Sequence, residues 1–252
     1  MNENINQLRV DQLPAHIREP IKLFADKLIT TLGENLQSIT VVGSSLTADF
    51  KPGRSDINTV LVLNKQTLNS LKLIASLARP MSRKKISPPL IMTLSYIKRS
   101  LDVFGVEFLD FQLTHRTVLG DDPFAGLTFE KKDVRLQCER ELKAMLIRLR
   151  QGYIAAAANK KLVRDILIST AKGLEPLLRA MLWLKDADRP AGAEQTFKMA
   201  AGQFSIKLDS LVISERWRHE KIRPDESQID NTFESVYSSI EQLAELVDKF
   251  EA

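Results

Sequence analysis

Two hydrophobic periods divide this chain. Up to about residue 125, short apolar runs alternate with helical stripes; from Asp133 onward the stripe is helical throughout. In the first part, Ile17, Ile21, Phe24, Leu28 and Leu32 recur at helical spacing over 14–32. Pro20 should break or kink that helix, and Gly33 should stop it. Residues 1–12 are polar and are expected to fray. Residues 38–42 and 57–63 are short, apolar and rich in β-branched side chains, which suits buried strands. Leu68, Leu71, Ile74 and Leu77 mark a helix over 67–77. Residues 79–87 read as a loop interrupted by Pro80. A short strand over 90–94 follows, then a helix capped by Ser95. Residues 103–112 read as a further strand. The Gly, Asp and Pro of 114–123 read as a connection leaving the sheet.

The second part predicts helices over 133–153, 159–184, 195–204, 206–217 and 225–250. Pro176 should kink the second of these. The last has the clearest pattern: Ile229, Phe233, Val236, Ile240, Leu243, Val247 and Phe250 repeat at three and four, behind an Asp225–Gln228 capping box. Helices with such stripes pack as a bundle, so the fold class is α+β, a sheet-bearing part followed by an all-α part.

Composition narrows the function classes. The formal net charge of +4 permits an anionic partner without demanding nucleic acid. Cys138 is alone, so no internal disulfide forms, and the three histidines are too scattered for a zinc site. The N-terminus lacks a signal-peptide pattern and no apolar run reaches the length of a membrane span; a cytoplasmic protein without membrane association is expected. Arg79, Arg83, Lys84 and Lys85 are suited to phosphates or an anionic acceptor, but a solvated loop is the preferred reading. Residues 216–223 are basic around Trp217. No duplex-binding module is evident, which argues against a DNA polymerase.

Candidate chemistry concentrates in 38–63. Gly43, Ser44 and Ser45 end the first strand in a small-residue turn whose free N–H groups suit a phosphate. Residues 51–54 form a turn. Asp56 and Asn58 stand two apart at the start of the next strand, so they share a face. Hard oxygens beside a phosphate site are what a magnesium–nucleotide complex needs.

Apolar strand, Gly43-Ser44, about ten residues, then Asp56-Ile57-Asn58 resembles the signature of the polymerase-β-like nucleotidyltransferase superfamily. The whole chain is similar in layout to stand-alone bacterial members of the kanamycin nucleotidyltransferase type. The resemblance implies a small mixed-sheet nucleotidyltransferase domain over 1–125 followed by an all-α helical bundle domain over 126–252. It implies transfer of a nucleoside monophosphate from ATP, or another nucleoside triphosphate, to an acceptor with Mg2+. Gly43, Ser44 and Ser45 would hold the nucleotide, and Asp56, Asn58 and Glu107 the metal. Asp56 and Glu107 would be the catalytic pair. Superfamily members carry a third carboxylate on a later strand; Glu107 suits that role better than Asp110, whose reading as a cap or salt bridge is preferred. His115 is read as structural rather than as a general base. The acceptor is open between a small molecule, a protein and an RNA end, and proteins of this layout can build a site between protomers, so a homodimer is open too. Asn58 departs from the superfamily's second acid. That departure keeps two alternatives in view: a catalytically weakened nucleotide-binding pseudoenzyme, and a nucleotidyltransferase-like interaction protein of the antitoxin kind.

Overall fold

A computed structural model describes residues 8–219, 222 and 224–250. Its first unit comprises Met1–Leu101 and Phe111–Thr128. It contains α1 (Ala15–Leu32), β1 (Leu36–Val42), β2 (Asn58–Leu63), α2 (Leu68–Ser76), α3 (Ala78–Arg83), β3 (Leu90–Met92), α4 (Leu94–Arg99) and β4 (His115–Leu119). The four strands form one mixed sheet in the order β3-β2-β1-β4. β1 runs antiparallel to β2 and β4, and β3 runs parallel to β2. Alternate strand residues, Ile39 and Val41 of β1 with Leu61 and Leu63 of β2, share a core with Ile17, Ile21, Phe24 and Leu28 of α1. The period-2 strand face thus meets the helical stripe read from the sequence.

The chain enters this unit more firmly than its polar start suggests. Arg9 donates its backbone N–H to the Val118 carbonyl at 2.8 Å, Val10–Gln12 form a 3-10 turn, and Leu13 is buried. Residues 1–7, part of the stretch expected to fray, lie outside the described residues. α1 continues through Pro20.

Several elements differ from the sequence expectation. Residues 79–87 are not all loop, because Ala78–Arg83 is helical with Pro80 in the first turn. A missing N–H costs nothing there, since the first turn has no acceptors for it. Thr93, not Ser95, caps α4, accepting from the Tyr96 N–H at 3.1 Å. Ile74 is buried but Leu68 and Leu71 are exposed, so the α2 stripe is only partly core. The connection expected over 114–123 contains β4. Thr117, Val118 and Leu119 are buried in it, and the turn signals apply only from Gly120 on. Gly120 has φ +71°, and a Cβ there would lie 2.0 Å from the Gln37 carbonyl oxygen. Glycine is required at that close approach.

The largest difference is residues 103–112. They form no strand; α5 spans Gly105–Leu113. Val, Phe and Leu favour strands by propensity, but Gly105, Val106, Phe108 and Leu109 are the buried positions, a helical pattern. A bond from the Val106 N–H to the Gln137 side-chain oxygen, at 2.9 Å, satisfies a free donor at the helix start.

The second unit comprises Asp102–Asp110 and Phe129–Ala252. Beside the first part of α5 it contains α6 (Lys131–Ala156), α7 (Lys160–Leu184), α8 (Ala193–Phe204), α9 (Asp209–His219) and α10 (Glu226–Asp248). Leu142, Leu149, Leu167, Leu174, Phe197, Leu211, Ile240 and Val247 belong to one core, as do Val106 and Leu109 of α5. α7 runs on through Pro176. Asp225 and Gln228 form the expected capping box. Trp217 is buried and its carbonyl accepts from Arg164 at 2.6 Å, so it anchors α9; residues 220, 221 and 223 of the basic stretch lie outside the described residues. A mixed sheet with helices and a helical bundle is the α+β class expected. No helix among the described residues is long and apolar enough to cross a membrane.

Candidate nucleotide site

β1 ends at Val42, and Gly43–Leu46 turn away as a 3-10 helix. Gly43 has φ +78°, a conformation that glycine adopts without a Cβ penalty, and its N–H donates to the Thr114 carbonyl at 2.9 Å. An ideal Cβ on Gly43 would lie 3.9 Å from the Asn58 side-chain nitrogen, so Asn58 reaches alongside the turn. Ser44 is half-buried, while Ser45 is buried and its hydroxyl has no hydrogen-bond partner.

Asn58 pairs with Val42 across β1 and β2, and His115 pairs with Val42 from β4. Directly opposed residues of antiparallel strands point to one face. Asn58, Val42 and His115 therefore form a row across the sheet. Asp56, two residues before Asn58, points the same way. Burial supports this alternation: Ser55, Ile57 and Thr59 are buried, Asp56 and Asn58 exposed. Gly43 and Asn58 thus meet at the end of β1 and the start of β2, with Asp56 two residues before Asn58.

His115 is further along the row, about 10 Å from Asn58 by two strand spacings. Its Nε2 lies 2.8 Å from Asp122 Oδ2. Burial pushes the Asp122 carboxyl up, but bonds from His115 and from the Phe124 and Ala125 N–H groups more than offset this and leave it below its ordinary value. The pair fastens β4 to the turn after it, as a structural histidine would.

Glu107 is not on the sheet. It is exposed on α5 in the helical unit, where its carboxylate accepts from the Gln137 amide at 2.6 Å. Its expected strand position does not exist, and the strand that does flank β1, β4, carries no carboxylate. Asp110 sits in the same helix and pairs with the buried Arg179 at 2.6 Å, the salt bridge expected of it. Cys138 is buried nearby; burial first, then Glu107 and Glu141, push its thiol up to about 12, so it is no nucleophile at neutral pH.

The donors at the turn define what metal they suit. Among the described residues no three His, Cys, Asp or Glu side chains converge. Asp56 offers one carboxylate and Asn58 one neutral oxygen. That set fits a single magnesium whose other ligands are phosphate and water, and it does not fit a metal pair.

A cavity of about 380 Å³ opens beside Asp56. Ile74, Ala78, Met81 and Ile86 wall it, and Asp56, Ser82, Lys85 and Ser87 supply polar groups. Sequence reading passed over it because its residues are spread across α2, α3 and the following turn. The volume falls within the range of about 300–1,000 Å³ usual for small-molecule sites.

No protein-family model matches the chain, and no curated protein is similar to it in sequence. Its fold is similar to the crystal structure of spectinomycin adenyltransferase AAD(9) from Enterococcus faecialis with ATP and spectinomycin. The TM-score is 0.60 at 13% identity, over 88% of this chain and 98% of that one. The likeness gives the chain a nucleotidyltransferase-like fold.

Proposed function

We propose that the chain transfers a nucleoside monophosphate from ATP, or another nucleoside triphosphate, to an acceptor in the presence of magnesium. The observation that carries this reading is the approach of exposed Asn58 to the Gly43 turn, with exposed Asp56 two residues before it. It stands in a fold like that of an adenyltransferase whose structure holds ATP.

In this reading Gly43 shapes the turn, its own N–H being held by the Thr114 carbonyl, and Ser44 and Ser45 bind phosphate oxygens. Asp56 brings the one full negative charge that holds magnesium, and Asn58 adds a neutral ligand. The metal supplies charge neutralisation on the phosphates. The acceptor's nucleophile forms a bond to the α-phosphorus, the bond to the bridging oxygen breaks, and pyrophosphate leaves with the electron pair. The protein's share is position and electrostatics.

The single carboxylate favours a second reading, a protein that binds the nucleotide and transfers it slowly or not at all. Isothermal titration of ATP with and without magnesium, beside Asp56→Ala, tests the common ground. Magnesium-dependent binding that the variant loses is expected. Binding unchanged by Asp56→Ala would remove this site from either reading. Pyrophosphate release with candidate acceptors then separates transferase from binder.

A further inference from the structure

The segment 57–101 contains eight Lys and Arg residues and no Asp or Glu, although the whole chain has a net charge of only +4. All eight are exposed, and none has an ion pair among the described residues. Elsewhere cations are commonly paired: Lys131 with Asp186, Lys160 with Asp230, Arg179 with Asp110. Four of the eight, Arg79, Arg83, Lys84 and Lys85, fall on α3 and the turn after it; Lys85 lines the cavity beside Asp56, while Lys84 borders a separate depression with Pro20 and Lys27.

Helix geometry places them. Ala78 and Ser82, four apart, face the cavity. Arg79 and Arg83, also four apart, form the adjacent row about 100° further round the helix. Lys85 itself lines the cavity. It holds φ +60°, a left-handed conformation that costs a lysine roughly 1 kcal/mol or more. The Ile57 N–H bonds its carbonyl at 2.7 Å, and the Ser87 N–H bonds the Ile57 carbonyl at 3.0 Å. These bonds fasten the turn next to Asp56. The result is a cavity with aliphatic walls, serine groups that suit a ribose or base edge, Asp56 at its border, and a cationic rim.

We infer that this cavity is the acceptor subsite, and that the acceptor presents a nucleoside phosphate, its base against Ala78 and Met81 and its phosphates on Arg79, Arg83 and Lys85. The inference rests on the nucleotidyl-transfer reading. A polycationic acceptor is disfavoured by a rim of uncompensated positive charge. The ribose hydroxyl of the acceptor would then stand beside Asp56, where its oxygen attacks the α-phosphorus, its proton passes to solvent and pyrophosphate departs.

The test uses the full-length protein. Magnesium-ATP is titrated first, as the control for the nucleotide site. A labelled 12-nucleotide RNA is then followed by anisotropy, with unlabelled AMP as competitor. With three phosphate contacts, RNA affinity should fall on the order of 20-fold between 50 and 200 mM salt. Arg79→Glu combined with Arg83→Glu should weaken RNA binding at least tenfold. Ala78→Trp, which fills the cavity from an exposed helix position, should abolish displacement by AMP. Magnesium-ATP titrations of both variants should match the parent. RNA bound more than tenfold tighter than AMP assigns a chain end; equal affinity assigns a free mononucleotide. Binding of neither probe overturns the inference while intact ATP binding leaves the transfer reading standing. RNA binding indifferent to AMP and to Ala78→Trp also overturns it, as does displacement of both probes by ATP. Loss of ATP binding in the parent protein would instead sink the transfer reading.

Discussion

At the residue scale the decisive position is Asn58. It occupies the register that pairs with Val42, beside Gly43, with an amide where a carboxylate would complete a magnesium site. In the proposed reading, what this position lacks is the charge of a second acid. Asn58→Asp changes the charge with almost no change in size. It should tighten magnesium-dependent ATP binding about tenfold, equivalent to about 1.4 kcal/mol, by adding one anionic ligand. Titration calorimetry reads this directly; a variant no tighter than the parent would mean that Asn58 does not face the metal. Asp122 bears on pH instead. Its carboxyl, ordinarily near 3.8, is lowered in the folded chain by its hydrogen bonds. A lowered folded-state value adds stability that is fully present above pH 4 and is lost as pH falls through that value. Asp122→Asn should therefore flatten the acid limb of the stability profile below about pH 4, and denaturant melts at pH 3 and pH 6 check it. An unchanged limb would assign the acid sensitivity elsewhere.

At the scale of elements, the sheet and the bundle were legible where periodicity and special residues agreed. Strands 38–42 and 57–63 combined β-branched runs with a Gly43 stop. The last helix combined a capping box with a seven-position stripe. Gly43, Asp56 and Asn58 could be placed for the same reason, because all three lie at the facing ends of two adjacent strands joined locally. Legibility failed where the partner was distant in sequence. Nothing within 103–112 reveals that Gln137, about thirty residues on, bonds the Val106 N–H, or that Gly105 packs so closely on Val134 that a Cβ would lie 2.9 Å from it. β4 was missed because its burial comes from β1, not from its own composition. Gln137 thus determines α5 as much as α5's own residues do. Gln137→Ala removes the bonds to the Val106 N–H and to Glu107, and should cost about 1–2 kcal/mol in urea unfolding. Gln137→Glu keeps the acceptor for Val106 but sets a second carboxylate against Glu107, so it should recover part of the loss at pH 4 and less at pH 7. Equal stability of both variants at both pH values would deny Gln137 this capping role.

At the scale of the whole molecule, the chain does not divide at one point. The boundary read from sequence, 125/126, follows the change of hydrophobic period. The second compact unit also takes in Asp102–Asp110, and the first resumes at Phe111–Thr128. The excursion has energetic content. Val106 and Leu109 are buried in the bundle core, and Asp110 is the close partner of Arg179, which is only 6% exposed. A fragment over 126–252 lacks all three. Two aliphatic side chains contribute about 2 kcal/mol each, and a buried arginine that loses its close carboxylate and keeps only Glu175 at 3.8 Å costs up to about 3 kcal/mol. Together these approach the entire stability of an ordinary domain, about 5–15 kcal/mol. The fragment 102–252 should therefore melt cooperatively, whereas 126–252 should show helical circular dichroism without a sharp transition, as loosely packed states do. Arg179→Met in 126–252 removes the under-compensated buried charge and should restore part of the transition. Identical melts for the two fragments would mean that the bundle needs nothing before residue 126, and the period change in the sequence would then mark the domain boundary after all.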